Sequence, residues 1–208
     1  MKMNHLVYSA AALLLAASTF GAELLATNTT QRSCCAQPEP AAKALLEKSL
    51  YQLDTVWTND SGHAVKLASL RGRPQVIAMF FASCQYTCTL LVFQMKQLEA
   101  SLPATVGTNV GFTLVSFDSQ RDTPAALKTY RAQHDLSREN WTLLKSNPDN
   151  VLDLAAVLGV KFKQDAQGNF SHSSLITLLN AEGEIVYQQV GLNPDDHEFA
   201  RRIEQLKP

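Results

Sequence analysis

Two cysteines separated by three residues have the clearest chemical potential in this sequence. Cys84 and Cys88 directly follow an apolar run, at the point where the chain is expected to turn into a helix. Side chains four positions apart share a helix face, so both sulfur atoms can converge on one point. The N–H groups at a helix start favour thiolate over thiol, which makes a cysteine there more reactive and a better metal ligand. The spacing predicts a site for metal binding or thiol redox chemistry.

An inert, buried role is the alternative for this pair. Cys84 and Cys88 continue a stripe at helical spacing with Leu91, Met95 and Leu98, so they could be small core residues. In an oxidising compartment, however, two such thiols would tend to form a disulfide. Cα atoms four positions apart in an ideal helix lie roughly 6 Å apart, within the upper disulfide range, so reversible oxidation is geometrically allowed.

The three-residue spacing discriminates between the reactions open to the pair. Thioredoxin-type exchange enzymes use C-x-x-C and usually place a cis-proline before the strand that faces the active site, but no proline occurs between Pro148 and Pro194. A peroxiredoxin places Thr three residues before its reactive cysteine, where Gln85 stands before Cys88. Two thiolates on one face suit Cu(I) with one further ligand. Copper binding is therefore favoured over exchange and peroxide chemistry.

Composition narrows the class of protein. The 208 residues suit one domain, because about 150 residues bury a normal core. With 46% hydrophobic and 18% charged residues, the chain is neither wholly disordered nor fibrous. Eighteen basic and nineteen acidic residues give a net charge of -1, which provides no footprint for nucleic acid. Four cysteines are too few for a disulfide scaffold and are expected to do chemistry or bind something.

Residues 1–22 predict an export signal. Lys2 precedes an apolar, Ala/Leu-rich run from Leu6 to Phe20, and small residues follow. Cleavage near Ala22 would leave a soluble protein. An uncleaved anchor in the inner membrane is the alternative, since the 17 residues up to Ala22 just reach the length that spans a bilayer. Both interpretations place the rest of the chain outside the cytoplasm, in the bacterial periplasm.

Residues 23–48 are rich in Ala, Thr, Gln and Pro, which predicts a linker or tether before a single domain over residues 49–208. The tether contains the adjacent pair Cys34 and Cys35. Such a pair can form a strained vicinal disulfide, pair with another chain, hand metal to the main site, or have no specific function.

The domain reads as strands alternating with helices, in a thioredoxin-like order. The predicted strands are Leu53–Thr58, Ala64–Leu67, Gln75–Phe81, Gly111–Phe117, Trp141–Leu144, Leu175–Leu179 and Glu184–Val190. Four helices are predicted. The first follows the third strand, the second begins at Thr123–Pro124 and runs through Tyr130, the third begins at Asn147–Pro148 and ends at Gly159, and the fourth is capped by Asn193. These elements indicate an α/β fold with a central mixed β-sheet flanked by helices, and with an N-terminal β-hairpin.

Three motifs in this domain resemble the Sco/SenC family of copper chaperones. They are Phe80–Cys88, Val115–Pro124 and Ser171–Ser173, and they follow one another in the family's order and approximate spacing. The resemblance covers roughly Tyr51 to Leu206. It implies a thioredoxin-like fold and a role in cytochrome c oxidase assembly, in which copper is delivered to the binuclear copper site of the oxidase.

The resemblance also implies the ligands. Carried over by position, they are Cys84, Cys88 and His172, which would bind copper as Cu(I) or Cu(II). His172 is expected in a polar loop just before an apolar strand, within reach of the sheet end where Cys84 emerges. The implied partner is a cuproenzyme subunit, such as the copper subunit of cytochrome c oxidase, and the protein is expected to be mostly monomeric. Two alternatives stay open: a thiol-disulfide oxidoreductase for an exported partner, and a redox or copper sensor that acts by protein contact.

Several positions depart from the family pattern and indicate a divergent member. The family commonly has proline after each motif cysteine, where this chain has Gln85 and Thr89. An acidic residue usually precedes the histidine, where this chain has Ser171. If that acid orients the imidazole, its replacement alters copper affinity or redox behaviour. Ser119 also replaces a proline.

The remaining titratable residues near the motifs have plainer expectations. Asp118 and Asp122 flank a strand-to-helix loop, where helix capping is the expected role and tuning of the copper site is the alternative. His63, His134 and His197 lie in polar turn or helix settings and are expected to be solvated.

Overall fold

The computed structural model describes residues 47–84, 86–166, 168–192 and 197–206. The predicted signal peptide, most of the predicted tether, and Cys34 and Cys35 lie outside the described residues. Within the described ranges, no helix is both long enough and apolar enough to cross a membrane.

The described residues contain strands and helices in alternation. The strands are β1 (Val56–Asn59), β2 (Ala64–Lys66), β3 (Gln75–Phe80), β4 (Gly111–Ser116), β5 (Trp141–Lys145), β6 (Phe162–Gln164), β7 (Phe170–His172), β8 (Leu175–Leu179) and β9 (Ile185–Val190). The helices are α1 (Thr87–Ser101), α2 (Ala104–Gly107), α3 (Pro124–Gln133), α4 (Pro148–Leu158) and α5 (His197–Gln205). Short 3-10 turns cover Leu50–Gln52 and Leu67–Leu70.

Seven strands form one mixed sheet in the order β2-β1-β5-β4-β3-β8-β9. β3 and β5 both run parallel to β4, whereas the other neighbouring pairs are antiparallel. All residues of β3 and β4 are buried, as a continuous apolar run in a central strand requires. The predicted α/β class, the mixed sheet and the N-terminal hairpin of β1 and β2 are therefore confirmed.

The topology brings three loops to one edge of this sheet. β3 and β4 are parallel and end together, with Phe80 opposite Ser116, so the loops that follow them leave the same edge. β8 is antiparallel to β3, with Ile176 opposite Ala78, so the segment before β8 arrives at that edge too. The segment after β3 carries the two cysteines, and the segment before β8 carries the histidine.

Local capping signals set the helix ends. The Thr123 hydroxyl accepts a hydrogen bond from an N–H in the first turn of α3, and Asn147 does the same for α4. Gly159 ends α4 in the left-handed region at φ 74°, which glycine adopts without a steric penalty. α3 continues one turn beyond the predicted end at Tyr130. The predicted cap at Asn193 lies outside the described residues.

A two-stranded ribbon, β6 paired with β7, was not predicted. Each strand has three residues, which is too short for a hydrophobic period to be recognised. His172, which was expected in a loop, is the last residue of β7 and pairs with Phe162. We call β6, β7 and the turn between them the histidine hairpin.

Candidate metal centre

The structure brings Cys84, Cys88 and His172 together. One ligand atom from each, a sulfur or a ring nitrogen, lies within 4.8 Å of the other two. Sγ of Cys88 is 3.5 Å from Nε2 of His172. Cys88 is buried, whereas Cys84 and His172 are half-buried, so the three residues lie at the edge of the core.

Cys84 reaches this point by a route that the helical spacing did not predict. α1 begins at Thr87, so Cys84 lies in the turn before the helix and does not share its face with Cys88. The N–H of Cys84 donates to the carbonyl of Phe81 at 3.2 Å, which folds the turn back. The Sγ atom of Cys84 then accepts a hydrogen bond from the N–H of Cys88 at 3.3 Å. An N–H of the first helical turn, where N–H groups have no carbonyl partner inside the helix, therefore holds this sulfur in place.

Burial dominates the chemistry of Cys88. It raises the pKa of the Cys88 thiol well above its usual range, and the charges of Cys84 and Asp122 raise it further. The expectation that the helix start would favour the thiolate is therefore wrong for the metal-free form of Cys88. The predicted apolar stripe is present, because Cys88 and the residues that follow it on α1, Leu91, Met95 and Leu98, are all buried.

The imidazole of His172 is oriented by the backbone. Its Nδ1 lies 3.1 Å from the carbonyl oxygen of Ser173, a partner to which this nitrogen can only donate. In the neutral imidazole, a proton on Nδ1 leaves the lone pair on Nε2, the nitrogen that faces Cys88. A backbone carbonyl thus takes the orienting role that an acidic side chain in place of Ser171 could have filled.

Phenylalanine rings pack against one another and against the ring of His172. The ring of Phe117 lies 5.0 Å from His172, 4.9 Å from Phe170 and 5.3 Å from Phe162, measured between centroids. Phe81 lies 5.2 Å from Phe117. We call these four phenylalanines the aromatic cluster. The role of this cluster was not predicted from the sequence, although Phe162 and Phe170 on either side of the glycine-containing turn are a usable hairpin signal.

Asp118 and Asp122 are each only 2% exposed, and they connect loops more than they cap helices. Oδ2 of Asp122 accepts hydrogen bonds from the N–H of Ala82 at 2.9 Å and from the hydroxyl of Ser116 at 2.5 Å. Burial raises the pKa of Asp122, while these two hydrogen bonds oppose the rise. Because Thr123 caps α3, the expected capping role of Asp122 is wrong. This carboxyl joins β4 to the connection between β3 and α1, residues 81–88, which we call the cysteine segment.

Among the described residues, the three other histidines lie outside this group. His63 and His197 are exposed. His134 is half-buried, with its ring centroid 4.0 Å from that of Tyr130, and burial together with the charge of Lys96 lowers its pKa. The expectation of a solvated side chain is therefore wrong for His134.

Two thiols and one imidazole form a donor set for a soft or borderline metal ion. Cys84 and Cys88 are free thiols in the structure, and their proximity also allows oxidation to a disulfide. The arrangement can therefore bind a metal in its reduced form and lose that capacity when it is oxidised.

Curated relatives align with this sequence over about two thirds of their length. A Stutzerimonas stutzeri protein that is named as copper-binding is 28% identical over 143 residues, which are 67% of this chain and 68% of the relative. The SCO1 protein homolog of Bacillus subtilis (strain 168) is 26% identical over 139 residues, or 64% of this chain and 70% of the relative.

Solved structures share the fold. The ScoI structure of Bradyrhizobium japonicum with copper bound superposes with a TM-score of 0.63, at 24% identity over 73% of this chain and 96% of that one. A SCO1/SenC family lipoprotein from Bacillus anthracis str. Ames has a TM-score of 0.69, at 21% identity over 80% and 99%. BsSco, described as a member of the Sco family of cytochrome c oxidase assembly proteins, has a TM-score of 0.65, at 21% identity over 79% and 98%.

The SCO1/SenC family model matches residues 45–207, which include every strand and helix described above. The thioredoxin-like fold of that family agrees with the order of strands and helices in this chain. The chain belongs to the SCO1/SenC family.

Proposed function

We propose that this protein binds copper through Cys84, Cys88 and His172 and acts as an exported metallochaperone. The observation that carries the proposal is the convergence of two thiols and one imidazole nitrogen within 4.8 Å. Membership of the SCO1/SenC family supports it, as do the copper named for the Stutzerimonas protein and the copper bound in the Bradyrhizobium structure.

The three ligand atoms favour copper over zinc, the commoner structural metal. Structural zinc sites take four protein ligands, whereas this group offers three, of which two are soft sulfur atoms. Cu(I) accepts low coordination by thiolates, and imidazole suits both copper valences. The carboxyl of Asp122, whose charge acts on Cys88, is already engaged by Ala82 and Ser116.

The proposed cycle uses the thiols as a switch. Reduced Cys84 and Cys88 bind copper with His172, and the copper passes to an acceptor protein after docking. Oxidation of the two thiols to a disulfide releases two protons and two electrons to an oxidant and removes both sulfur donors. The half-buried position of Cys84 supports access by an acceptor or an oxidant, and a disulfide switch is named for BsSco.

An anaerobic Cu(I) titration of the reduced protein against a competing chelator tests copper binding. We expect one tightly bound copper ion per chain, and loss of that binding in the double variant Cys84→Ser/Cys88→Ser. The matched control is Cys34→Ser/Cys35→Ser, which removes the other cysteine pair and should keep the stoichiometry. Unchanged binding in the first double variant would overturn the proposal.

We further propose that the acceptor is the copper subunit of cytochrome c oxidase. The family role named for BsSco supports this choice. A row of exposed apolar side chains beside the site supports docking by a protein: Tyr86 is 76% exposed and Phe93 58%, and with Leu90 they lie on one face at the start of α1. Aligned apolar residues of this kind typically mark a protein contact.

Copper transfer from the loaded protein to the metal-free copper domain of the oxidase subunit tests the acceptor. Phe93→Glu should slow transfer and leave Cu(I) affinity unchanged, since Phe93 is not a ligand. Val157→Glu, on the exposed face of α4, is the matched control and should change neither. Equal transfer rates for the two variants would argue against docking through this surface.

A thiol-disulfide oxidoreductase is the second candidate. The observation that favours it is the unequal burial of the pair, since a half-buried Cys84 can attack a substrate while buried Cys88 resolves the mixed disulfide. Catalytic reduction of an exported partner's disulfide by a protein that binds no copper would establish this function instead.

We also propose an extracytoplasmic location, with residues 1–22 as signal or anchor, 23–48 as tether and 49–208 as the functional domain. The apolar N-terminus supports it, and so does the lipoprotein described from Bacillus anthracis. Fractionation of cells that produce the full chain, with protease protection of intact spheroplasts as the control, tests this location.

A further inference from the structure

The histidine hairpin is not part of the seven-stranded sheet. Its strands β6 and β7 pair only with each other among the described strands, over three residues each. A two-stranded ribbon of this size is marginally stable on its own in water. The position of His172 relative to the thiols therefore depends on contacts that the hairpin makes with other parts of the domain.

Arg121, in the loop between β4 and α3, makes such contacts. Its Nη2 donates to the carbonyl of Gly168 in the hairpin turn at 2.7 Å. Its guanidinium carbon lies 5.7 Å from the ring centroid of Phe170 on β7, a cation-π distance. One side chain thus contacts the hairpin at its turn and at the strand that carries His172.

The guanidinium is itself held by the interior. Its Nε donates to the buried carboxylate of Asp118, and the backbone N–H of Arg121 donates to the other oxygen of that carboxylate at 3.0 Å. The N–H of Asp118 in turn donates to the hydroxyl of Ser116 at 3.0 Å. Asp118 therefore holds Arg121 through both its backbone and its guanidinium, and the same guanidinium contacts the hairpin.

The same loop also contacts the cysteine segment. Asp122, next to Arg121, accepts a hydrogen bond from the N–H of Ala82, two residues before Cys84. A loop that contributes no ligand therefore contacts both segments that do.

We propose that Arg121 is a positioning residue that keeps the histidine hairpin in place, so that His172 stays within reach of the two thiols. This inference rests on the proposed copper site. The apparent affinity of a site falls in proportion to the fraction of molecules in which the site is assembled. Arg121 acts on that fraction and leaves the intrinsic strength of each ligand unchanged.

The first test compares Arg121→Met with Arg131→Met in a Cu(I) competition titration. Arg131 has the same chemistry elsewhere, since it pairs with the buried Asp60 and donates to the carbonyl of Trp141 at 2.9 Å. We expect about tenfold weaker binding for Arg121→Met, the low end for loss of an orienting partner, and no change for Arg131→Met. Equal affinities for the two variants would overturn the inference.

The second test asks whether the effect passes through the histidine. In a His172→Ala background, Arg121→Met should cause no further loss of affinity, because the group that Arg121 positions is already absent. An equal loss in both backgrounds would mean that Arg121 acts on the thiols or on overall stability, and would overturn the inference.

A third measurement needs no metal. Amide hydrogen exchange of β7 in the metal-free protein should be faster in Arg121→Met, whereas exchange in β3 should be unchanged. Unaltered exchange in β7 would overturn the inference. Absence of copper binding in the wild-type chain would overturn the proposed function instead, and faster exchange in β7 would still show that Arg121 holds the hairpin.

Discussion

The cysteine segment and the histidine hairpin hold their donors in different ways. The cysteine segment, residues 81–88, connects β3 to α1, and β3 is paired on both sides along a fully buried strand. The histidine hairpin pairs only with itself among the described strands and lies against the domain through the aromatic cluster and Arg121. The two sulfur atoms are therefore set by the core, whereas the imidazole is set by a surface ribbon.

This difference has a consequence for the proposed metal chemistry. Thiols fixed by the core keep their spacing whether or not the hairpin is in place. The imidazole can leave with a small local rearrangement, because local opening costs less than global unfolding. A carrier must both bind and release its cargo, and a ligand set with one movable member meets both needs.

The largest expected effect lies in the cysteine segment. Cys88→Ser should weaken Cu(I) binding by more than about 100-fold, the upper end for loss of an orienting partner, since it removes a ligand itself. A serine hydroxyl stays protonated and is a hard oxygen donor, so it does not replace the thiolate. Chelator competition measures the loss, with circular dichroism to confirm folding. Affinity within tenfold of the wild type would contradict the role of the core-held thiols.

His172→Ala should have the next largest effect. We expect binding to weaken by about 10- to 100-fold, comparable with loss of an orienting partner, because two thiolates remain to hold Cu(I). The same competition assay measures it, and X-ray absorption should report loss of the nitrogen ligand. A loss as large as that of Cys88→Ser would break the comparison, since both segments would then contribute equally.

The pH dependence of the copper affinity should show the proton that Cys88 loses on binding. Burial raises the pKa of Cys88, so the metal-free thiol carries a proton that must leave when the thiolate binds copper. Each such proton makes the apparent affinity rise about tenfold per pH unit between about pH 7.5 and about pH 9. The slope should persist in His172→Ala and fall by one unit in Cys88→Ser. A slope that does not change in Cys88→Ser would contradict this assignment.

The smallest expected effect comes from the aromatic cluster. Phe117→Leu should loosen the contact with the hairpin and weaken binding by less than about tenfold, below the low end for loss of an orienting partner, because leucine keeps an apolar side chain in the cluster. Phe112→Leu is the matched control, since Phe112 is buried and stacked on Trp141 with centroids 5.0 Å apart, away from the hairpin. Thermal unfolding should show similar destabilisation of both variants, with weaker copper binding only for Phe117→Leu.

Much of the fold could be predicted because its signals are local. The apolar run at residues 75–81 predicted the central strand, and Thr123 and Asn147 predicted two helix starts. The histidine hairpin could not be predicted from periodicity, since three-residue strands are shorter than any usable window. The role of Arg121 depends on a carbonyl 47 positions away in the chain.

The sequence indicated which three residues would converge, but not how the backbone brings them together. The spacing of Cys84 and Cys88 suggested a shared helix face, whereas a turn before α1 brings the sulfur atoms together. Burial of Cys88, which raises its pKa, depends on packing that no spacing reveals. The orientation of His172 by the carbonyl of Ser173 is likewise invisible in a sequence, because every residue has a carbonyl.

The chain separation of the donors links copper loading to folding. Cys84 and Cys88 are four positions apart and stay neighbours in an unfolded chain, whereas His172 lies 84 positions beyond Cys88. An unfolded chain can therefore offer the thiol pair, but only the native chain adds the imidazole. A ligand stabilises a fold only by its preference for the native state, about 2.7 kcal/mol at a hundredfold excess over Kd when the unfolded chain does not bind. The rise in Tm on loading thus measures how much tighter the assembled site binds than the cysteine pair alone.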